Sequence, residues 1–322
     1  MGVCKLYFCI TRYLQQHPDA LTGESLEELA SRYSPFAYIG ARKCLRKFVE
    51  QEAQRVGTTP EAWFGRQDWD KDSGAFPDFV LACEAHNPIG NGALLELKDS
   101  KGKQVASFNS TLPSARKSLD KLTPLVRETV QRYEAQTGGN VGCSDERDCF
   151  YLVRTMRDNP KECRISVVQG TFFETIPNQE LLRSLWQEVL QQANIPEEQQ
   201  QQVLDCLARL ERDKIAQSRL IEGASVKPRL RIMSEVVSDA NPHLYKPISA
   251  RTVNLILKAP DEDAGLDVLG EWLAKCFQQD NLQANLSGNT LMVFVDEREI
   301  KYKIFQIRHR RNGLHLVVQT RV

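Results

Sequence analysis

The stretch from Phe76 to Asp99 constrains this chain more than any other. It contains two apolar runs, PDFVLACE (77–84) and ALLELKD (93–99), separated by HNPIGNG. Each run has the length of a strand, and the Pro, Gly and Asn between them signal a reversal of the chain. Two strands that pair across such a turn alternate their side chains between faces, so residues i and i+2 share one. Leu94, Glu96 and Lys98 then fall on one face, and Leu95 and Leu97 on the other. In the first run Asp78, Val80 and Ala82 share a face, opposite Phe79, Leu81 and Cys83. Pairing the two strands lays Asp78, Glu96 and Lys98 on one surface. Carboxylates brought together in a partly apolar setting repel each other. A divalent cation relieves that repulsion, and Mg²⁺ favours oxygen ligands while keeping several waters. Such a cation polarises a phosphodiester and acidifies a bound water. A neighbouring ammonium offsets charge in the transition state.

Elements alternate along the rest of the chain. Ser25 to Ala30 reads as a helix start, and Tyr38 to Glu52 as a helix with Ala41, Leu45, Phe48 and Val49 on its apolar face. Glu52 falls on that face one turn beyond Phe48, and Glu50 on the opposite one. Residues 61–74 read as a strand or loop ending in a turn. A third strand is expected at Val105 to Phe108. Thr123-Pro124 opens a helix that TGGN closes. Strands follow at Cys149 to Thr155 and Cys163 to Gln169, then a helix marked by Leu181, Leu185, Trp186 and Val189. This order argues a mixed α/β class. IPEEQQQQ (195–202) shifts the composition, and after about Val226 the pattern resets. A strand at Val253 to Leu257, a helix from Leu266 to Phe277 and three strands ending at Thr320 follow, the last two joined at Asn312-Gly313. The expected organisation is a catalytic unit over 1–200, then a helical connection and a smaller α/β unit over 201–322.

Composition narrows the class. Hydrophobic residues make up 41% of the 322 and charged residues 26%, the balance of a soluble globular chain. Lys+Arg and Asp+Glu are equal at 42 each, so a polyanion would be held by local patches rather than a global field. No apolar run reaches membrane-spanning length, and LYFCI is too short for the apolar part of a signal peptide. Leu6 stands where myristoylation wants Ser or Thr. The nine cysteines include no CxxC pair, so reduced thiols and a cytoplasmic setting are the expectation, with no zinc site.

Pro77-Asp78 followed by Glu96-Leu97-Lys98 resembles the PD-(D/E)xK nuclease superfamily, over roughly Tyr38 to Gln169. The resemblance implies a restriction-endonuclease-like core, a central mixed sheet flanked by helices. It implies that Asp78 and Glu96 bind Mg²⁺ and that Lys98 assists the attacking water. Many members add a Glu from the preceding helix, for which Glu52 is the candidate and Glu50 the alternative. SFNSTLPSARKSL, after the second strand, is similar to a segment of some type II restriction endonucleases. Its neighbourhood is locally basic, with Lys101, Lys103, Arg116 and Lys117; Asn109, Ser110, Thr111 and Ser114 add short polar groups. These residue types suit phosphate contacts and base-edge hydrogen bonds. The resemblance therefore implies a Mg²⁺-dependent, sequence-specific endonuclease of double-stranded DNA that leaves 5′-phosphates. It implies a homodimer on a palindromic site and a cognate DNA methyltransferase protecting a bacterial host. The alternatives are a repair or phage-defence nuclease on the same fold and a catalytically silent DNA-binding module.

The triplet alone proves little. Ordinary residue frequencies place roughly two ExK or DxK triplets in a chain of this length by chance. Pro260-Asp261 with Glu299-Ile300-Lys301 spells the same motif a second time. There Asp261 sits in a DED run that reads as a helix N-terminus. The C-terminal strands also carry Arg298, Lys301, Lys303, Arg308, Arg310 and Arg311, a second candidate DNA-contact surface.

Overall fold

A computed structural model describes residues 2–31, 37–38, 42–65, 76–84, 87–109, 112–137, 143–174, 176–208, 233–295 and 298–322. The helices are α1 (Val3–Gln16), α2 (Ala20–Gly23), α3 (Leu26–Ser31), α4 (Arg42–Arg55), α5 (Pro60–Phe64), α6 (Pro124–Thr137), α7 (Asn178–Gln192), α8 (Glu197–Ala208) and α9 (Leu266–Gln279). The strands in the first half are β1 (Ala37–Tyr38), β2 (Phe79–Val80), β3 (Leu94–Asp99), β4 (Phe108–Asn109), β5 (Arg116–Ser118), β6 (Glu146–Thr155) and β7 (Arg164–Gln169). Those in the second half are β8 (Met233–Ser234), β9 (Thr252–Lys258), β10 (Gln283–Ser287), β11 (Thr290–Val295), β12 (Arg298–His309) and β13 (Gly313–Arg321).

The mixed α/β class is as expected. One sheet runs in the order β1-β2-β3-β6-β7-β9-β13-β12-β11-β10, and β5 adds to β6. The β3–β6 and β7–β9 pairs are parallel and the other neighbours antiparallel. The parallel pairs need long crossovers, and α6 lies in one while α7 and α8 lie in the other. The strands of 201–322 do not form a sheet of their own: β9 joins β7, and β13 to β10 extend the same sheet.

Two apolar layers enclose the sheet. One face carries Leu95, Leu152, Val167, Leu255 and Leu316 under α1 and α9. The other carries Leu94, Tyr151, Val168, Ile256 and Val317 with Phe108, Val126 and Phe172. The central strands are buried on both faces, so β9 reads as a continuous apolar run rather than an alternating one. LYFCI belongs to α1, whose Val3, Leu6, Tyr7 and Ile10 are fully buried. The Tyr7 hydroxyl lies 2.8 Å from Val318 O and 3.1 Å from Val253 O, tying the helix across β13 and β9.

Several expectations need correction. Residues 60–64 form α5, because Thr59 caps it through Ala62 N and Pro60 occupies its first turn. The strand expected at Val105 to Phe108 shrinks to β4, which pairs with β8 outside the main sheet. Leu181, Leu185 and Val189 of α7 are exposed among the described residues. Cys83 and Cys143 are joined in a disulfide, so the thiols are not all reduced. Their Cα atoms lie 6.1 Å apart, because the end of the β2 segment and the start of β6 flank β3. The spacing between these two cysteines gave no sign of that proximity.

Candidate active site

β2 and β3 pair as the alternation required, with Phe79 opposite Leu95 and Val80 opposite Leu94. Continuing that register by one residue places Asp78 opposite Glu96. Leu94 and Val80 enter one apolar layer and Leu95 and Phe79 the other, so Asp78, Glu96 and Lys98 share the Leu94 face. β6 lies on the other side of β3, with Tyr151 beside Glu96 and Val153 beside Lys98. The site is therefore set into the sheet with apolar flanks.

Each of the three polar side chains is held. Leu97 N–H donates to Asp78 Oδ2 at 2.7 Å, which orients that carboxylate across the strand pair. Lys98 Nζ donates to Glu96 Oε1 at 2.9 Å, and both side chains are nearly buried, 9% and 12% exposed. The Lys98 ammonium also stands 4.8 Å from the centre of the Phe108 ring, a cation–π contact. Phe108 is backed in turn by Tyr151 and Phe173. Glu96 Oε2 is buried and has no hydrogen-bond partner among the described residues.

The electrostatics follow from this burial. Desolvation pushes the Glu96 carboxyl up to about 7; the Asp78 charge adds to the rise, while Lys98 and Lys117 oppose it. Desolvation also raises Asp78; the Leu97 hydrogen bond and Lys98 counter it, and Glu27 adds to it. Two carboxylates and an ammonium thus occupy a site where ionising the second carboxylate is costly.

The remaining expected residues divide. Lys117, on β5, stands 4.6 Å from the Phe76 ring centre, and its charge acts on Glu96. Arg116 is exposed and pairs with Asp148 at 3.2 Å. Lys101 pairs with Asp158 at 3.0 Å at the surface, and Lys103 is exposed beside it. Ser114 is buried, and its N–H donates to the Tyr151 hydroxyl at 2.8 Å; it braces the segment before β5 rather than offering a surface donor. Asn109 belongs to β4, while Ser110 and Thr111 lie outside the described residues. Glu52 bonds Arg55 at 2.8 Å, and its charge is felt by Tyr133 of α6. Glu50 is exposed on the same helix.

The helix-borne carboxylate that acts on Asp78 is Glu27, on α3, and sequence reasoning missed it. Ser25 and Glu28 form a reciprocal capping box, with Ser25 N to Glu28 Oε2 at 2.8 Å and Glu28 N to Ser25 Oγ at 3.1 Å. That box engages Glu28. Beside it, Glu27 reads in sequence as one more charge in the first turn of a helix.

The second copy of the motif does not assemble. Glu299 and Lys301 are near the start of β12 and pair loosely at 3.5 Å. Glu262, next to Asp261, pairs with Arg308 near the far end of β12. Nine residues of strand separate positions 299 and 308, roughly 30 Å.

A buried serine–histidine pair lies elsewhere on the same face. Ser166 Oγ is 2.7 Å from His243 Nε2, and Thr155 Oγ1 is 2.7 Å from His243 Nδ1. Ser166 is fully buried, and burial, followed by the Arg164 charge, lowers His243 to about 3. This buried imidazole clamps residues 238–244 onto β6 and β7.

No family of known proteins, no curated protein and no solved structure matches this chain. Among the described residues no helix is long and apolar enough to cross a membrane, and no group of three or more His, Cys, Asp or Glu forms a ready metal cluster.

Proposed function

We propose that the chain is a Mg²⁺-dependent endonuclease that hydrolyses phosphodiester bonds of double-stranded DNA at Asp78, Glu96 and Lys98. The observation that carries this reading is the convergence of two partly buried carboxylates and a buried ammonium across the β2–β3 pair. The donor set fits the metal. Asp78 and Glu96 supply hard anionic oxygens, one of them Glu96 Oε2, buried and without a hydrogen-bond partner among the described residues. When bound, Mg²⁺ would polarise the scissile phosphate and acidify a water.

The chain's own residues do the rest. Leu97 N–H fixes the direction of the Asp78 carboxylate. Lys98, steadied against Phe108, presents a positive charge where the pentavalent phosphate gains negative charge. Lys117 adds a second cation whose charge acts on Glu96. Attack by water on phosphorus with loss of the 3′ oxygen would leave a 5′-phosphate. Cutting both strands of a palindromic site calls for a homodimer, and a nuclease of this kind would be paired with a protecting DNA methyltransferase.

One observation favours a second reading, a DNA-binding module without catalysis. Lys98 already neutralises Glu96 directly at 2.9 Å, and an ion pair of this kind also serves a purely structural role.

Digestion of unmethylated plasmid and phage DNA with Mg²⁺, followed by sequencing of the ends, separates the readings. Discrete termini are expected. Asp78→Ala and Lys98→Ala should abolish cleavage while DNA binding survives in a gel-shift assay. Heterogeneous ends at branched or damaged DNA would shift the assignment to a repair or defence nuclease. Intact DNA under all these conditions would refute the enzyme reading.

A further inference from the structure

The β12–β13 hairpin holds two arginines, Arg310 and Arg311, that pair with no carboxylate among the described residues. Residues 310–312 form its turn, and three contacts fix the shape. His309 Nδ1 accepts from Arg311 N at 3.1 Å and from Asn312 N at 3.0 Å. Those bonds require a neutral ring with Nδ1 bare, and burial of His309 favours that form. The Asn312 side-chain amide reaches the carbonyls of Thr171, Phe172 and Glu174 at 2.6–3.2 Å. Gly313 closes the turn at φ 70°, where a Cβ would collide with the Glu262 carboxylate.

The acids of the adjoining cleft are already engaged. Glu262 pairs with Lys258 and Arg308, and Glu174 accepts the Ala115 N–H. Arg310 and Arg311 are exposed, and among the described residues no carboxylate pairs with either. The cleft measures about 640 Å³, and Ala115, two residues before Lys117, is among the residues that line it with Arg310 and Arg311. From β6, the strand that β5 pairs with, to β12 is four strand spacings, roughly 19 Å. That span corresponds to about five or six base-pair steps of duplex DNA.

We propose that Arg310 and Arg311 form a second phosphate-contact surface for duplex DNA, continuous with Lys117 across the Ala115–Glu174 cleft. It rests on the DNA partner of the function proposed above, but not on cleavage. A turn anchored at His309, Asn312 and Gly313 presents both arginines from a backbone that loses little freedom on binding. Their planar forks match phosphate oxygens. Two contacts of this kind supply affinity and register rather than base recognition.

The test is fluorescence anisotropy with a mixed-sequence duplex in EDTA, over a series of salt concentrations. The double variant Arg310→Ala/Arg311→Ala should bind at least about tenfold more weakly at low salt. Its plot of log affinity against log salt should be shallower by about 1.8, two phosphate contacts' worth. The control Lys161→Ala/Lys275→Ala, at exposed sites on the β6–β7 turn and on α9, should leave slope and affinity unchanged. An unaltered slope in the arginine variant, with a thermal midpoint matching the wild type, would overturn the proposal. So would binding of the wild type to phosphatidylserine vesicles but not to the duplex. A reduced slope in a protein that never cuts DNA would uphold this surface and reject the nuclease; cleavage with an unaltered slope would do the reverse.

Discussion

Replacing Glu96 with Gln isolates the electrostatic strain of the site. In the folded protein this carboxyl is pushed from 4.5 up to about 7. An acid whose folded value is raised keeps its proton in the native state after the unfolded chain has lost it. Stability therefore falls as pH rises between those two values and levels off above the higher one. At about 1.36 kcal/mol per pH unit, the interval corresponds to roughly 3 kcal/mol. The amide cannot ionise, so Glu96→Gln escapes this loss. At pH 5 the native Glu96 is still protonated and nearly isosteric with the amide while the unfolded carboxyl is mostly ionised, so the variant should lead by only about 1 kcal/mol. By pH 8 the variant should be the more stable by about 3 kcal/mol. Urea unfolding in EDTA at half-unit steps from pH 5 to 8.5 reads the difference directly, and titrating groups remote from Glu96 cancel in the comparison. A flat difference, or a wild type that gains on the variant as pH rises, would refute the account of Glu96. The repulsion argument for a metal at Asp78 and Glu96 would go with it.

Two further predictions concern the scaffold. Arg154→Ala should cost about 3 kcal/mol in urea unfolding, because it removes the two closest partners of the Asp99 carboxylate, leaving only Arg157 at 3.4 Å, and unpairs two carbonyls together. Arg154 is 2% exposed, binds both Asp99 oxygens at 2.7 and 2.9 Å, and donates to Leu21 O and Glu24 O. Gly313→Ala should cost about 1–3 kcal/mol through its positive φ alone, read as a lowered thermal midpoint, with weaker duplex binding because the turn presenting Arg310 and Arg311 is distorted.

The legible parts of this chain were those governed by local rules. The turn HNPIGNG and the two runs around it foretold the β2–β3 pair, and alternation alone placed Glu96 and Lys98 on the Leu94 face. Thr123-Pro124 marked the start of α6, and the last three strands fell where their apolar periodicity put them. Elements went astray where a neighbour outweighed local preference. Val105 to Phe108 has strand composition, yet Phe108 is spent in the aromatic cluster behind Lys98, and only two residues pair. Ser114 looks like a surface donor, but its backbone bonds the Tyr151 hydroxyl.

By itself the sequence determined the chemistry on offer at one strand pair: two carboxylates and an ammonium on a single face, since side chains in a strand repeat every second residue. Long-range contacts decided the rest. The join of β9 to β7 merged two expected units into one sheet, a pairing between segments that no local signal links. Tertiary packing let the Glu27 charge act on Asp78, brought Cys83 to Cys143, and scattered the second copy of the motif along β12. It also set the pH range of the site, because desolvation depends on what covers a carboxylate, and residues far apart in the chain supply that cover.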